Sequence, residues 1–129
     1  MSKTRILIVE DYADSREMYA EFLRLLGFEV SEATHGAEAL EKAQATRPDL
    51  IVMDLSLPVM SGFEATQKLK ADRRTRDIPV IAVTAHAHKR QLEARKAGFD
   101  GFVEKPCLPD RLMHEVRRVL DRRLAKQAR

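Results

Sequence analysis

An alternation constrains this chain most. Five short apolar runs, "ILIV" (6–9), "FEV" (28–30), "LIVM" (50–53), "VIAV" (80–83) and "GFV" (101–103), are separated by longer segments of helical character. Short aliphatic runs bounded by turn signals suit strands covered on both faces. In 14–26, Met18, Phe22, Leu25 and Leu26 fall at i, i+4, i+7 and i+8, which predicts one buried helical stripe. Asp14 is placed to cap that helix, with Glu17 three residues on, and Gly27 to end it in a left-handed conformation. In 108–125, Leu112, Val116, Val119 and Leu120 repeat the spacing, with Pro109 near the helix start. Segments 36–47, 62–72 and 87–97 are rich in the helix formers Ala, Lys and Glu, and Gly98 suits a stop for the last.

Five strand–helix units imply a parallel sheet with helices on both sides. Right-handed crossovers then give a doubly wound α/β sandwich. Such sheets bind ligands outside the carboxyl ends of their strands. Chemistry is therefore expected just after positions 9, 53, 83 and 103.

At 129 residues the chain fits one domain, with no internal linker. No stretch approaches the roughly 20 apolar residues of a membrane span, and "MSKTRILIVED" lacks the order of a secretory signal. The single cysteine, Cys107, cannot form an intrachain disulfide and is expected to pack or sit in a loop rather than react. These features favour the cytoplasm and no membrane partner. The net charge of +3 hides an asymmetry: residues 111–129 hold seven Lys/Arg against two Asp/Glu, leaving the rest at −2. The isoelectric point near 9.2 thus reflects one helix and its tail. A dedicated nucleic-acid binder would spread its basic residues over a face of the fold, so no nucleic-acid partner is expected and the basic end reads as a solvated helix terminus.

The strand ends carry the chemistry. Glu10 and Asp11 follow the first run, Asp54 ends the third, Thr84 follows the fourth, and Lys105 and Pro106 follow "GFVE". Singly, an acid after a strand is ordinarily a turn or cap residue and a lysine is ordinarily solvated. Together they would place three carboxylates, a hydroxyl and an ammonium at one edge of the sheet. Like charges about 4 Å apart repel by about 4 kcal/mol at an effective dielectric near 20. Such a cluster either raises its proton affinity or recruits a cation. Hard oxygen ligands without His or Cys select Mg²⁺, with Mn²⁺ as an alternative. The metal and Lys105 would gather phosphoryl oxygens, with Thr84 adding a hydrogen bond, and a carboxylate can itself accept the group. Asp54 is the acid that stands alone on the central strand.

"ILIVED", "LIVMDLSLPVMSG", "IPVIAVTAHA" and "GFVEKP", in this order and spacing, resemble the receiver domains of two-component response regulators from about Arg5 to Leu120. The resemblance implies a (βα)5 flavodoxin-like or CheY-like fold with strand order 2-1-3-4-5, a receiver domain over residues 1–121 and a basic helix end or tail over 122–129. It implies that Asp54 is the phosphoacceptor for a sensor histidine kinase or histidine phosphotransfer protein. Asp11, Asp54 and the Ser56 backbone carbonyl would bind Mg²⁺ directly, and Glu10 largely through a bound water. Lys105 would pair with the phosphate, and the Lys105–Pro106 peptide would be cis. Thr84 would be the switch hydroxyl and Phe102 the switch aromatic, without the hydroxyl that a tyrosine would offer. Ser56 and His86 occupy positions that influence phosphate lifetime; the imidazole could shield the phosphate, hold a water, or lie exposed.

The resemblance implies a phosphoacceptor signalling protein rather than an enzyme with a separate substrate, one that would catalyse only its own phosphotransfer and autodephosphorylation. An unidentified downstream protein would read the C-terminal helices, with the receiver a monomer or weak dimer. No output domain fits after position 120, so a stand-alone regulator or an excised receiver of a larger kinase is expected, and the Met1 start leans toward the former. The alternative is a phosphorylation-independent adaptor that keeps the fold and not the chemistry. A phosphatase with an aspartyl nucleophile would want an acid at 56, and a flavin binder a Ser/Thr/Gly loop in place of "EDYAD".

Overall fold

The structure, a computed structural model, describes residues 3–85, 87–106 and 108–127; His86 and Cys107 lie outside the described residues. Five strands alternate with five helices: β1 (Arg5–Val9), α1 (Ala13–Leu25), β2 (Glu29–Ala33), α2 (Gly36–Thr46), β3 (Leu50–Asp54), α3 (Gly62–Ala71), β4 (Val80–Thr84), α4 (Ala87–Ala97), β5 (Gly101–Glu104) and α5 (Pro109–Gln127). The strands form one parallel sheet in the order β2-β1-β3-β4-β5. It is the doubly wound α/β fold expected from the alternation. α5 continues without a break from 121 to Gln127, and no helix of the described residues is long and apolar enough to cross a membrane.

The continuous apolar runs conceal a period of two. Leu7, Val9, Ile51, Met53, Val80 and Ala82 pack with Ala39, Ala43, Ala65, Leu69 and Ala94 of α2, α3 and α4. Ile6, Ile8, Leu50, Val52, Ile81 and Val83 pack with Tyr19, Ala20, Leu23, Leu112 and Val116 of α1 and α5. Alternate residues along a strand face opposite sides, so a strand covered on both sides must be apolar throughout.

Two local readings need correction. The buried face of α1 is Tyr19, Ala20 and Leu23, with Phe22 partly buried, whereas Met18, Leu25 and Leu26 are exposed. A helix lying close on a sheet needs a small residue at the contact, and Ala20 supplies it where a rank by side-chain size passes it over. Asp14 is also not the cap: α1 starts at Ala13 after Tyr12, which makes no side-chain capping bond, and Asp14 sits in the first turn, where a carboxylate still complements the helix dipole. The glycine stops are as expected. Gly27 (φ 98°) and Gly98 (φ 103°) take the left-handed conformation. In each case the following N–H reaches five residues back, Phe28 to the Leu23 carbonyl and Phe99 to the Ala94 carbonyl, both at 3.1 Å.

Candidate functional site

Register brings the predicted residues together. Val9 pairs with Met53, so the next residues, Glu10 and Asp54, leave neighbouring strands side by side. Asp54 pairs with Val83, placing Thr84 one step beyond on β4, and Thr84 pairs with Glu104, so Lys105 follows. The Lys105 N–H donates to the Thr84 carbonyl at 2.9 Å, and the Lys105–Pro106 peptide is cis.

Carboxylate oxygens of Glu10, Asp11 and Asp54 lie within 4.8 Å of one another. Lys105 Nζ bridges two of them, 3.2 Å from Glu10 Oε1 and 3.3 Å from Asp54 Oδ2. Asp54 Oδ1 accepts from the Ser56 N–H at 3.0 Å. Glu10, Asp54 and Thr84 are buried, at 2%, 4% and 2% exposure, while Asp11 is exposed and Lys105 half-buried. One ammonium cannot neutralise three carboxylates. The imbalance shows at Glu10, whose carboxyl is pushed up from its ordinary 4.5 to about 7. Burial contributes most, followed by the hydrogen bond and charge shared with Asp54, and Lys105 only partly opposes them. Burial pulls the Lys105 ammonium down, but the charges of Asp54 and Glu10 and its bonds to them hold it above its ordinary value.

The donor set fits a hard divalent cation: among the described residues the cluster is three carboxylates, Glu10, Asp11 and Asp54. A cation there would offset the repulsion among the carboxylates and favour the ionised form of Glu10. The same edge offers an ammonium at Lys105 and a buried threonine at 84 to a tetrahedral oxyanion.

Gly62 permits this arrangement. It opens α3 and its N–H returns to the Leu55 carbonyl at 3.2 Å. A Cβ there would stand 2.3 Å from the Asp54 carbonyl oxygen and 2.9 Å from Leu55 Cα, so only glycine lets the helix press against the strand that carries Asp54. Phe102 is half-buried and packs on the cluster shared with α2, α3 and α4. Sequence reasoning missed two residues around the site. Arg16 donates to the Glu10 carbonyl at 3.0 Å and pairs with Glu32 at 3.3 Å; its place one turn before Tyr19 and Ala20 was the available signal. Glu115 bonds the backbone of Phe102, and its spacing of three from Arg118 was the only hint.

The sequence matches the family model of the response regulator receiver domain over residues 6–117, from β1 into α5. It is 39% identical over 116 residues to the polar-differentiation response regulator DivK of Brucella anthropi, covering 89% of this chain and 94% of DivK. Among solved structures, chemotaxis protein CheY4 of Vibrio cholerae superposes with a TM-score of 0.87 at 32% identity, over 92% of this chain and 99% of that one. The receiver domain of a sensor histidine kinase from Pseudomonas aeruginosa PAO1, described with a magnesium ion coordinated in its active-site cleft, superposes at 0.82 and 33% identity, over 96% and 99%. With the strand order in agreement, the chain belongs to the response regulator receiver domain family of two-component signalling and has its CheY-like fold.

Proposed function

We propose that this protein is a phosphorylation-driven switch in which Asp54 accepts a phosphoryl group from a phosphohistidine on a sensor histidine kinase or histidine phosphotransfer protein. The observation that carries the reading is the convergence of Glu10, Asp11 and Asp54 within 4.8 Å, with Lys105 bridging Glu10 and Asp54. Asp11, Asp54 and the Ser56 carbonyl would hold Mg²⁺, or Mn²⁺ in its place, and Glu10 would do so through water. When bound, the ion supplies charge neutralisation for the phosphoryl oxygens.

The chain's own residues do the rest. The Ser56 N–H on Oδ1 and Lys105 on Oδ2 orient the Asp54 carboxylate. One of its oxygens bonds to phosphorus as the donor's P–N bond breaks. The departing imidazole takes the electron pair and then a proton, leaving a mixed anhydride on Asp54. Lys105 follows the negative charge onto the phosphoryl oxygens, and the Thr84 hydroxyl donates to one of them. Attack by water on phosphorus later returns the carboxylate and inorganic phosphate, with Ser56 and His86 setting the lifetime. Phosphorylation replaces the −1 carboxylate with an acyl phosphate carrying up to about −2, and its oxygens draw Thr84 inward, let the Phe102 ring move, and alter the surface formed by the C-terminal helices. A downstream protein partner reads that surface. The receiver acts as a monomer or weak dimer in the cytoplasm, over residues 1–121, with no nucleic acid or membrane as partner.

Incubation with Mg²⁺ and acetyl phosphate should add one phosphoryl group by intact mass, and Asp54→Asn should abolish it. Labelling of Asp54→Asn to the wild-type level would overturn the assignment. No label with any of a range of donors, histidine proteins included, would favour an adaptor that uses the fold alone.

A further inference from the structure

β5 is an edge strand, and the outward backbone groups of an edge strand are ordinarily left to water or to another chain. The Phe102 N–H is not. It donates to Glu115 Oε2 of α5 at 2.8 Å. Arg118 grips the same carboxylate as a fork, Nε to Oε1 at 2.8 Å and Nη2 to Oε2 at 3.0 Å, and also donates to the Asp100 carbonyl at 3.2 Å. Both ends of this clasp therefore hold the start of β5. The Glu115 side chain is only 14% exposed. Burial would raise its carboxyl, but the bonds from Arg118 and from the Phe102 amide outweigh that and hold it below the ordinary range.

A neighbouring residue makes room for the clasp. Gly101 has no side chain, and a Cβ there would stand 2.7 Å from Glu115 Oε2 and 3.0 Å from Val119 Cγ2. The glycine is required by space, since its backbone is not among the positive-φ positions. On the other side of the sheet the Phe102 ring packs against the α2–α4 cluster, with the Arg95 guanidinium of α4 6.0 Å from its centroid. Phe102 is thus joined to α5 through its backbone and to α4 through its ring.

We propose that Glu115 is a positioning residue for the switch: it sets the resting place of Phe102 and carries displacement of that residue into α5. This rests on the reading of Phe102 as the switch aromatic. A phenylalanine has no hydroxyl with which to signal, so its movement must be transmitted through packing and backbone. A charge-assisted N–H···O⁻ bond of 2.8 Å is a strong link of that kind, made at the second residue of a four-residue strand.

The test uses amide hydrogen exchange and chemical shifts of the full chain. Glu115→Ala should speed exchange of the Phe102 amide by about tenfold while the amides of β4 stay unchanged. Glu115→Gln, whose amide oxygen can still accept from Phe102, should recover much of the protection. Gly101→Ala, which expels an intact Glu115, should reproduce the loss. With Mg²⁺ and acetyl phosphate, the shift changes at Val116 and Val119 should fall by at least about half in Glu115→Ala, with mass labelling of Asp54 unchanged. Unchanged Phe102 exchange in Glu115→Ala would overturn the proposal. So would an undiminished α5 response in a labelled variant whose Phe102 amide is released. Failure of the wild type to label at all would instead strike the phosphoacceptor reading, and the relay with it.

Discussion

Asp54→Asn should make the metal-free protein more stable at high pH. In the wild type, Asp54 repels Glu10 and Asp11 and, among the described residues, pairs with Lys105. At an effective dielectric near 20, unit charges 4.8 Å apart repel by about 3.5 kcal/mol, and the Lys105–Asp54 pair at 3.3 Å attracts by about 5 kcal/mol. Removing the Asp54 charge deletes two repulsions and one attraction. Because Asp11 is exposed and its share is screened, the net gain is about 1–2 kcal/mol, or roughly 3–10 °C in melting temperature for a domain of this size.

The pH dependence fixes the sign. The Glu10 carboxyl is raised to about 7 in the folded chain from an ordinary 4.5, so the folded state holds that proton more tightly than the unfolded state. Stability from this group is complete below pH 4.5 and is lost as pH rises through 7. With Asn at 54, Glu10 is freed of the Asp54 charge, keeps Lys105 beside it, and loses less. The advantage of the variant should therefore be large at pH 8.5 and small at pH 5.5, where wild-type Glu10 is already protonated. Thermal melts by circular dichroism at the two pH values, in EDTA and then in Mg²⁺, read this directly; Mg²⁺ should stabilise the wild type more than the variant. A variant no more stable than wild type at pH 8.5 in EDTA, or one equally favoured at pH 5.5, would refute the reasoning.

The other predictions concern the same edge of the sheet. Gly62→Ala must move backbone away from a contact of 2.3 Å and should cost about 1–3 kcal/mol, measurable by urea denaturation; an unchanged midpoint would show that α3 has slack there. Lys105→Ala should still fold with a cooperative melt but lose the phosphate-dependent shift changes in α5, and wholesale unfolding would make Lys105 structural. Mg²⁺ binding followed by calorimetry in two buffers should release close to one proton at pH 6 and almost none at pH 8.5, because Glu10 enters the complex ionised. Equal release at both pH values would mean that Glu10 does not face the ion.

Where sequence and structure agree, the signal was local. The central runs of β1, β3 and β4 are strands because a doubly covered strand must be apolar, and their ends are where polar residues first become tolerable, whereas the edge strand β2 runs past its "FEV" signal through Ser31 and Glu32. The strand-end rule alone puts Glu10, Asp11, Asp54, Thr84 and Lys105 at one edge of the sheet, and turn chemistry puts Gly27 and Gly98 at helix ends. The misreadings arose where side-chain size substituted for geometry: Met18 and Leu25 outrank Ala20 in hydrophobicity, yet Ala20 is what fits against the sheet. Contacts between distant segments were not legible. Lys105 and Glu10 are 95 residues apart, the demand for glycine at 62 comes from the backbone of Asp54, and Glu115 reads as one more helical carboxylate until β5 is laid beside it.

The central claim is that Asp54, and no other carboxylate of the cluster, carries the phosphoryl group. Phosphorylate the protein from a histidine donor in Mg²⁺, reduce the acyl phosphate with borohydride, and sequence the peptide spanning β3 by tandem mass spectrometry. The account predicts homoserine at position 54, absent when EDTA replaces Mg²⁺. Homoserine at Asp11, the corresponding reduced product at Glu10, or label that forms equally without the ion, would contradict it.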